Sequence, residues 1–217
     1  MLSEKHGMSK LYLYKMTTDN GGAPCVRDGK LSLAICKPSI RTSARCGDFI
    51  LGFAGNALHK NNCLIYAAKV GRCVTGDEYY ANEYKLRPDC IYEFRRGTYR
   101  CRPGAIYHSR EDLRHDLGDP PDYGRAKVLL VEDSSDFRYW GTSCPIAYTS
   151  RYRKLGEFIR ALGIGHRSNL SESLRTSVLS LLSEVWSAPE TPGNSSVLSA
   201  HSLSKCSLDE GGAECEC

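Results

Sequence analysis

The chain has 217 residues, of which 41% are hydrophobic and 25% are charged, and its formal net charge is +4. That length suits one domain with an appendage, because domains most often hold roughly 100–150 residues. The longest aliphatic run, residues 128–131, is far short of the roughly 20 residues of a membrane-spanning helix. Residues 1–10 are polar and lack the apolar core of a secretory signal. We therefore predict a cytoplasmic protein with no membrane partner.

The chain contains 11 cysteines, an unusually high number. The count is odd, no export signal is visible, and several cysteines lie inside apolar runs, among them Cys36 and Cys63. Free cysteine behaves as a small hydrophobic residue, and a reducing compartment keeps it free. We therefore predict reduced thiols rather than a disulfide framework.

Composition divides the chain into three segments. Residues 1–10 form a polar leader, and residues 11–186 carry the hydrophobic periodicity of a single globular domain. Residues 187–217 are rich in Ser and Gly and acidic, which predicts a disordered tail. The tail carries a charge of −4 and the rest of the chain +8. Four soft metal-ligand residues lie in the tail: His201, Cys206, Cys215 and Cys217. Their irregular spacing predicts no metal site.

The first half of the chain is predicted to form strands. Alternating or continuous apolar runs bounded by turn residues predict them. Thr75 and Glu78 have the spacing of a capping box, which predicts a short helix over residues 77–85. The predicted strands cover residues 11–16, 31–36, 49–55 and 63–74, the last with a bend near Gly71.

The second half changes from strands to helices. The predicted elements are a strand at 91–94, a turn capped by Ser109, a strand at 126–132, an edge strand or aromatic turn at 136–141, and two helices. The helices cover residues 152–162 and a segment that starts near Asn169 and Glu172 and ends at Trp186. Strands first and helices last predict an α+β fold, a strand-rich sheet or partly closed β-barrel covered by C-terminal helices.

Residues 85–125 combine basic and aromatic side chains. Seven arginines between Lys85 and Arg125 are interleaved there with tyrosines, phenylalanine and two histidines. Guanidinium groups neutralise phosphates and aromatic faces stack on bases, so this mixture is typical of nucleic-acid contact. Alternatively, the tyrosines pack in the core and the arginines face solvent. Five acidic residues within 111–122, Asp116 among them, also dilute the charge there.

The segment 36–41 holds the most specific candidates. Lys37 and Arg41 follow the end of a predicted strand and can clamp a phosphate, while a neighbouring cation favours the reactive thiolate form of Cys36. Alternatively, Cys36 packs in the core and Lys37 is solvated.

Three further polar residues are either turn residues or parts of a site. Asp48 and Asp136 are candidate acid or base groups, and each also fits a turn. Asn20 lies in a Gly-rich loop that can approach a ligand.

Several of these runs together resemble a known family. The chain shows LYLY at 11–14, NGGAP at 20–24, LAICKPSIR at 33–41, GDFILG at 47–52, LIYAAKV at 64–70, DEYY at 77–80, IYH at 106–108, VLLV at 128–131 and DFRYWG at 136–141. These runs resemble the nucleotide modification associated domain families, the second of them most closely, over about residues 10–165.

The resemblance implies a role in phage or bacterial systems that hypermodify DNA bases. The strand that follows Gly47 and Asp48, together with the long strand after it, also resembles the PUA, ASCH and EVE β-barrel modules, which bind RNA or modified bases. The motif residues carried over are Asn20, Cys36, Lys37, Arg41, Asp48, Tyr79, His108, Asp136 and Tyr139.

We therefore predict a domain that contacts nucleotides or DNA and takes part in DNA base modification, together with other base-modification proteins. The candidate catalytic residues are Cys36, Asp48, His108 and Asp136. The candidate nucleotide- and phosphate-binding residues are Asn20, Lys37, Arg41, Tyr139 and Trp140. The alternatives are a non-catalytic reader of modified bases and a protein-interaction module. The sequence identifies no cofactor.

Overall fold

A computed structural model describes residues 8–81, 83–144 and 148–187. The predicted tail from residue 188 onward, its candidate metal ligands and the first seven residues of the leader lie outside these ranges. The strands are β1 Leu11–Met16, β2 Cys25–Arg27, β3 Lys30–Leu33, β4 Phe49–Ala54, β5 Leu64–Lys69, β6 Arg72–Thr75, β7 Tyr92–Arg95, β8 Thr98–Cys101, β9 Lys127–Val131, β10 Phe137–Tyr139 and β11 His166–Arg167. The helices are α1 Pro38–Ser43, α2 Gly76–Tyr79, α3 Leu113–Leu117, α4 Tyr148–Arg151, α5 Arg153–Ala161 and α6 Glu172–Ser187.

The strands form two main sheets and one hairpin. The five-stranded sheet has the order β10-β5-β4-β1-β11, with β1 and β4 parallel and its other neighbours antiparallel. The four-stranded sheet has the order β2-β3-β9-β6 and is antiparallel throughout, and β7 pairs with β8. The α+β prediction is confirmed, whereas the described strands do not close into a barrel.

The molecule is layered. One face of the five-stranded sheet packs against α5 and α6, where Leu155, Ile159 and Val178 are fully buried. The opposite face packs against the four-stranded sheet, so Tyr14 and Leu33 share a core cluster. The far side of the four-stranded sheet packs against a cluster of tyrosines, namely Tyr79, Tyr80, Tyr84, Tyr92, Tyr99 and Tyr123. The tyrosines of the basic and aromatic segment are therefore mainly core residues.

Most predicted elements appear with shifted ends. The segment predicted as one bent strand over 63–74 is two strands, β5 and β6, which belong to different sheets because the chain turns at Gly71. The Thr75–Glu78 capping box is present, but α2 is only 4 residues long. The start signal at Asn169 is replaced by Ser171, whose hydroxyl accepts the N–H of Leu174. The 136–141 segment contains β10, an edge strand.

Cys63 and Cys144 form a disulfide, with their Cα atoms 5.8 Å apart. The prediction of reduced thiols is therefore wrong for this pair, which ties the start of β5 to the segment that follows β10. The other cysteines of the described ranges are free, and Cys36 is one of them. No helix in those ranges is long and apolar enough to cross a membrane.

Candidate active site

Cys36 lies on a tight left-handed turn between β3 and α1. Its φ angle is 56° and that of Lys37 is 43°. Residues other than glycine rarely adopt this region, and such strain tends to occur at functional sites. Pro38 then starts α1, where its missing N–H costs nothing. A strand, a strained turn and a helix in this order are how several hydrolase folds expose a nucleophile.

Both backbone groups of Cys36 are held by buried side chains. Its N–H donates to Asp116 Oδ1 at 2.8 Å, and its carbonyl accepts from Arg41 Nε at 2.7 Å. Arg41 is only 2% exposed and also donates to the carbonyls of three residues, Asp116, Arg125 and Lys127. The predicted phosphate contact of Arg41 is thus replaced by a positioning one, because its donors point to carbonyls inside the protein.

His108 bridges the thiol and Asp116. Its Nε2 lies 3.2 Å from Cys36 Sγ, and its Nδ1 lies 2.6 Å from Asp116 Oδ2. Tyr92 donates its hydroxyl to the same Asp116 oxygen at 2.9 Å. With donors on both of its oxygens, Asp116 accepts from Nδ1–H and leaves Nε2 to exchange a proton with the thiol. We name Cys36, His108 and Asp116 the triad. A nucleophile, a base and a group that orients the base is the arrangement of covalent catalysis.

Two members of the triad, Cys36 and His108, line a cavity of about 250 Å³. Its wall combines the end of β1, the loop over residues 17–24, the segment 35–37 and the pair Tyr107–His108. Asn20 and Lys37 line the cavity together with Cys36 and His108. Four predicted site residues, remote in sequence, are therefore brought together.

Lys37 brings a cation to this cavity. Its Nζ lies 4.8 Å from the centroid of the Tyr14 ring, and burial lowers its pKa. The Tyr14 hydroxyl is 2.9 Å from that of Tyr66, beneath the same wall. Burial also raises the pKa of Asp19, against the effect of the hydrogen bond from Tyr139.

The remaining predicted site residues lie elsewhere. Asp48 accepts the N–H groups of Lys10 and Arg45, so it is a turn residue before β4. Asp136 lies at the surface, 3.9 Å from Lys69 Nζ.

Neither aromatic candidate lines the cavity. Tyr139 donates its hydroxyl to Asp19 at 2.6 Å. Trp140 packs against the core between the five-stranded sheet and helices α5 and α6, on the opposite face of that sheet from Tyr14. The motif residue Tyr79 is also internal, since its hydroxyl donates to Asp89 at 2.7 Å.

Sequence reasoning missed Asp116, which it treated only as a charge that dilutes a basic segment. The residue is fully buried, and it lies in α3 between Leu113 and the buried Leu117. An acidic residue on the apolar side of a short helix was the available signal, because buried carboxylates are almost always paired.

We expect the contribution of His108 to stability to depend on pH. Hydrogen bonds to Asp116 and Cys36 raise the pKa of His108 to about 10, from about 6.5 in an unfolded chain. Because the folded state binds the proton more tightly, this contribution is complete below pH of about 6.5 and is lost as the pH rises toward 10. In urea unfolding, the stability difference between the wild type and His108→Gln should shrink over that range.

The exposed His115, in the same segment, provides the control for this experiment. The His115→Gln variant should show a much weaker pH dependence of its difference from the wild type. If the difference in the free energy of unfolding between the wild type and His108→Gln did not change with pH, His108 would not be held as an imidazolium by Asp116 and Cys36.

A family model described as "Nucleotide modification associated domain 2" matches residues 8–189 of the chain. No curated protein and no solved structure matches the chain.

Proposed function

Because the chain belongs to the nucleotide modification associated domain 2 family, we propose that it is an enzyme of nucleotide or DNA base modification with Cys36 as its nucleophile. The observation that carries this proposal is the 3.2 Å contact between Cys36 Sγ and His108 Nε2 at the cavity wall. A thiol paired with a histidine and a carboxylate is a group prepared for covalent attack.

Each member of the triad has one task. His108 takes up the thiol proton and holds it as an imidazolium, because hydrogen bonds to Asp116 and Cys36 raise its pKa to about 10, and the resulting thiolate attacks the electrophilic atom of the substrate. Asp116 fixes the imidazole ring and stabilises its charged form, as the orienting carboxylate of such triads does. Arg41 holds the Cys36 carbonyl and so fixes the direction of the Sγ atom.

The cavity also has a group that suits a nucleotide. Lys37 places a cation at the wall that carries the nucleophile, and a half-buried ammonium attracts phosphate more strongly than an exposed one. The volume of about 250 Å³ suits one base or its substituent rather than a paired duplex. A base within DNA therefore has to be extruded or single-stranded to enter.

Nucleoside analysis of cells tests this function. The full chain is expressed together with its genomic neighbours, and the DNA and the nucleotide pool are digested for mass spectrometry. We expect a nucleoside mass absent from control cells, and we expect Cys36→Ala and His108→Gln to lower its amount at least about 100-fold, since a base alone supplies roughly 10²–10⁴.

Cys46→Ala is the matched control, because Cys46 is an exposed free cysteine whose Sγ contacts the Gly71 carbonyl, away from the triad. It should leave the new mass unchanged. Persistence of that mass in Cys36→Ala would show that the thiol is not the nucleophile and would favour a non-catalytic reader.

A further inference from the structure

The N–H group of the nucleophile is already in use. In many enzymes that attack a carbonyl through Ser or Cys, the N–H of the nucleophile or its neighbour donates to the developing oxyanion. In this protein the Cys36 N–H donates to Asp116 Oδ1 at 2.8 Å. The Cys36 N–H is therefore not free to donate to a substrate carbonyl, and a side-chain donor on the cavity wall can take its place.

Asn20 has the required chemistry. Its Oδ1 accepts the N–H of Gly22 at 3.2 Å. The reverse placement of the amide would set two donors against each other, so this bond fixes the Nδ2 donor on the side away from Gly22. Asn20 lines the same cavity as Cys36 and His108. Its amide group is thus an oriented donor at the cavity that Cys36 lines.

The loop that carries Asn20 is packed against the triad segment. The Tyr107 ring, adjacent to His108, lies so close to Gly22 that a Cβ there would be 2.9 Å from its Cγ atom. On the other side, Asp19 accepts the Tyr139 hydroxyl at 2.6 Å. A catalytic donor has to be held in place before the reaction, and these two contacts hold the loop on both sides of Asn20.

We propose that Asn20 Nδ2 donates to the oxygen of a carbonyl that Cys36 attacks, which makes this an acyl-transfer site. The substrate class is an ester or amide carried by a nucleotide. This inference rests on the proposed function, because it requires Cys36 to be the nucleophile.

The steps follow from the triad. Cys36 Sγ forms a bond to the carbonyl carbon, and the electron pair of the C=O bond moves to the oxygen that Asn20 binds. The pair returns, the bond to the alcohol or amine breaks, and His108 gives that group its proton. Water or an amine then attacks the thioester, His108 takes the proton of the attacking group, and the departing thiolate recovers it.

Two reagents separate the role of Asn20 from that of the thiol. p-Nitrophenyl acetate acylates Cys36 through a tetrahedral oxyanion, whereas iodoacetamide alkylates the same sulfur without one. Rates are measured on the full chain by peptide mass spectrometry. We expect Asn20→Ala to slow acylation about 10²–10³-fold, as loss of an oxyanion donor does, and to leave alkylation within about twofold of the wild type.

Two variants complete the design. Asn20→Asp keeps the acceptor for the Gly22 N–H and removes the donor, so it should slow acylation like Asn20→Ala without loosening the loop. Asn61→Ala changes an exposed asparagine of another loop and should match the wild type with both reagents.

The outcomes are distinguishable. Equal loss of acylation and alkylation in the Asn20 variants would make Asn20 a loop-positioning residue, and no loss of either would remove it from the reaction; both results overturn the inference. A wild-type Cys36 that resists acylation also overturns it. Cys36 reactivity that His108→Gln leaves unchanged would instead refute the proposed function.

Discussion

Replacing Asp116 by Ala should lower the free energy of unfolding by about 3–5 kcal/mol, the usual cost of removing one partner of a buried ion pair. Asp116 and Arg41 have fully buried side chains, and their closest charged atoms are 3.7 Å apart. The change also removes the acceptor of the Cys36 N–H and of the Tyr92 hydroxyl. Urea unfolding at pH 7 measures the loss.

Asp119→Ala is the control for this change. Asp119 lies three residues farther along, its side chain is 64% exposed, and it pairs with Arg114 at the surface. Such pairs contribute little, so the expected change is within about 0.5 kcal/mol. If both variants lost the same small amount, Asp116 would not be the buried centre that the contacts describe.

Replacing Gly52 by Ala should lower the free energy of unfolding by about 1–3 kcal/mol or more, because it adds a methyl group to a filled core. Gly52 lies in β4 between Tyr14 and Tyr66. A Cβ atom there would be 2.6 Å from Tyr66 Cδ1 and 2.8 Å from Met16 Sδ. Urea unfolding measures this loss too.

This substitution should also disturb the cavity, since Tyr66 would have to move and its hydroxyl is bonded to that of Tyr14. Gly163→Ala provides the comparison, because a Cβ at Gly163 meets no atom within 4 Å. That variant should be as stable as the wild type. A neutral Gly52→Ala would mean that the Tyr66 ring and the Met16 side chain can repack without cost.

The sequence predicts where the strands and helices of this fold lie better than it predicts which strands pair with each other. Continuous apolar runs locate β1 and β4 within one residue of their ends, because both faces of each strand are buried. The same pattern merges β5 and β6 into one strand. A turn that sends the chain into another sheet leaves the apolar pattern of both strands unchanged.

The candidate site was predictable in part, for a similar reason. Cys36 and His108 were singled out separately, but their contact spans 72 residues, and no local pattern encodes it. Arg41 was predicted to bind phosphate, since a cation that follows a strand can bind either a ligand or carbonyl groups inside the protein. Only the fold shows that carbonyls of β9 and its neighbours surround this one.

The distance along the chain between the members of the triad also has a consequence for synthesis. Cys36 leaves the ribosome 80 residues before Asp116, and His108 follows it by 72. Until the segment from His108 to Asp116 has been translated and has docked against the turn at Cys36, the thiol has no base beside it. The nascent chain thus carries the candidate nucleophile without its histidine partner until the segment that follows β8 has been translated and folded.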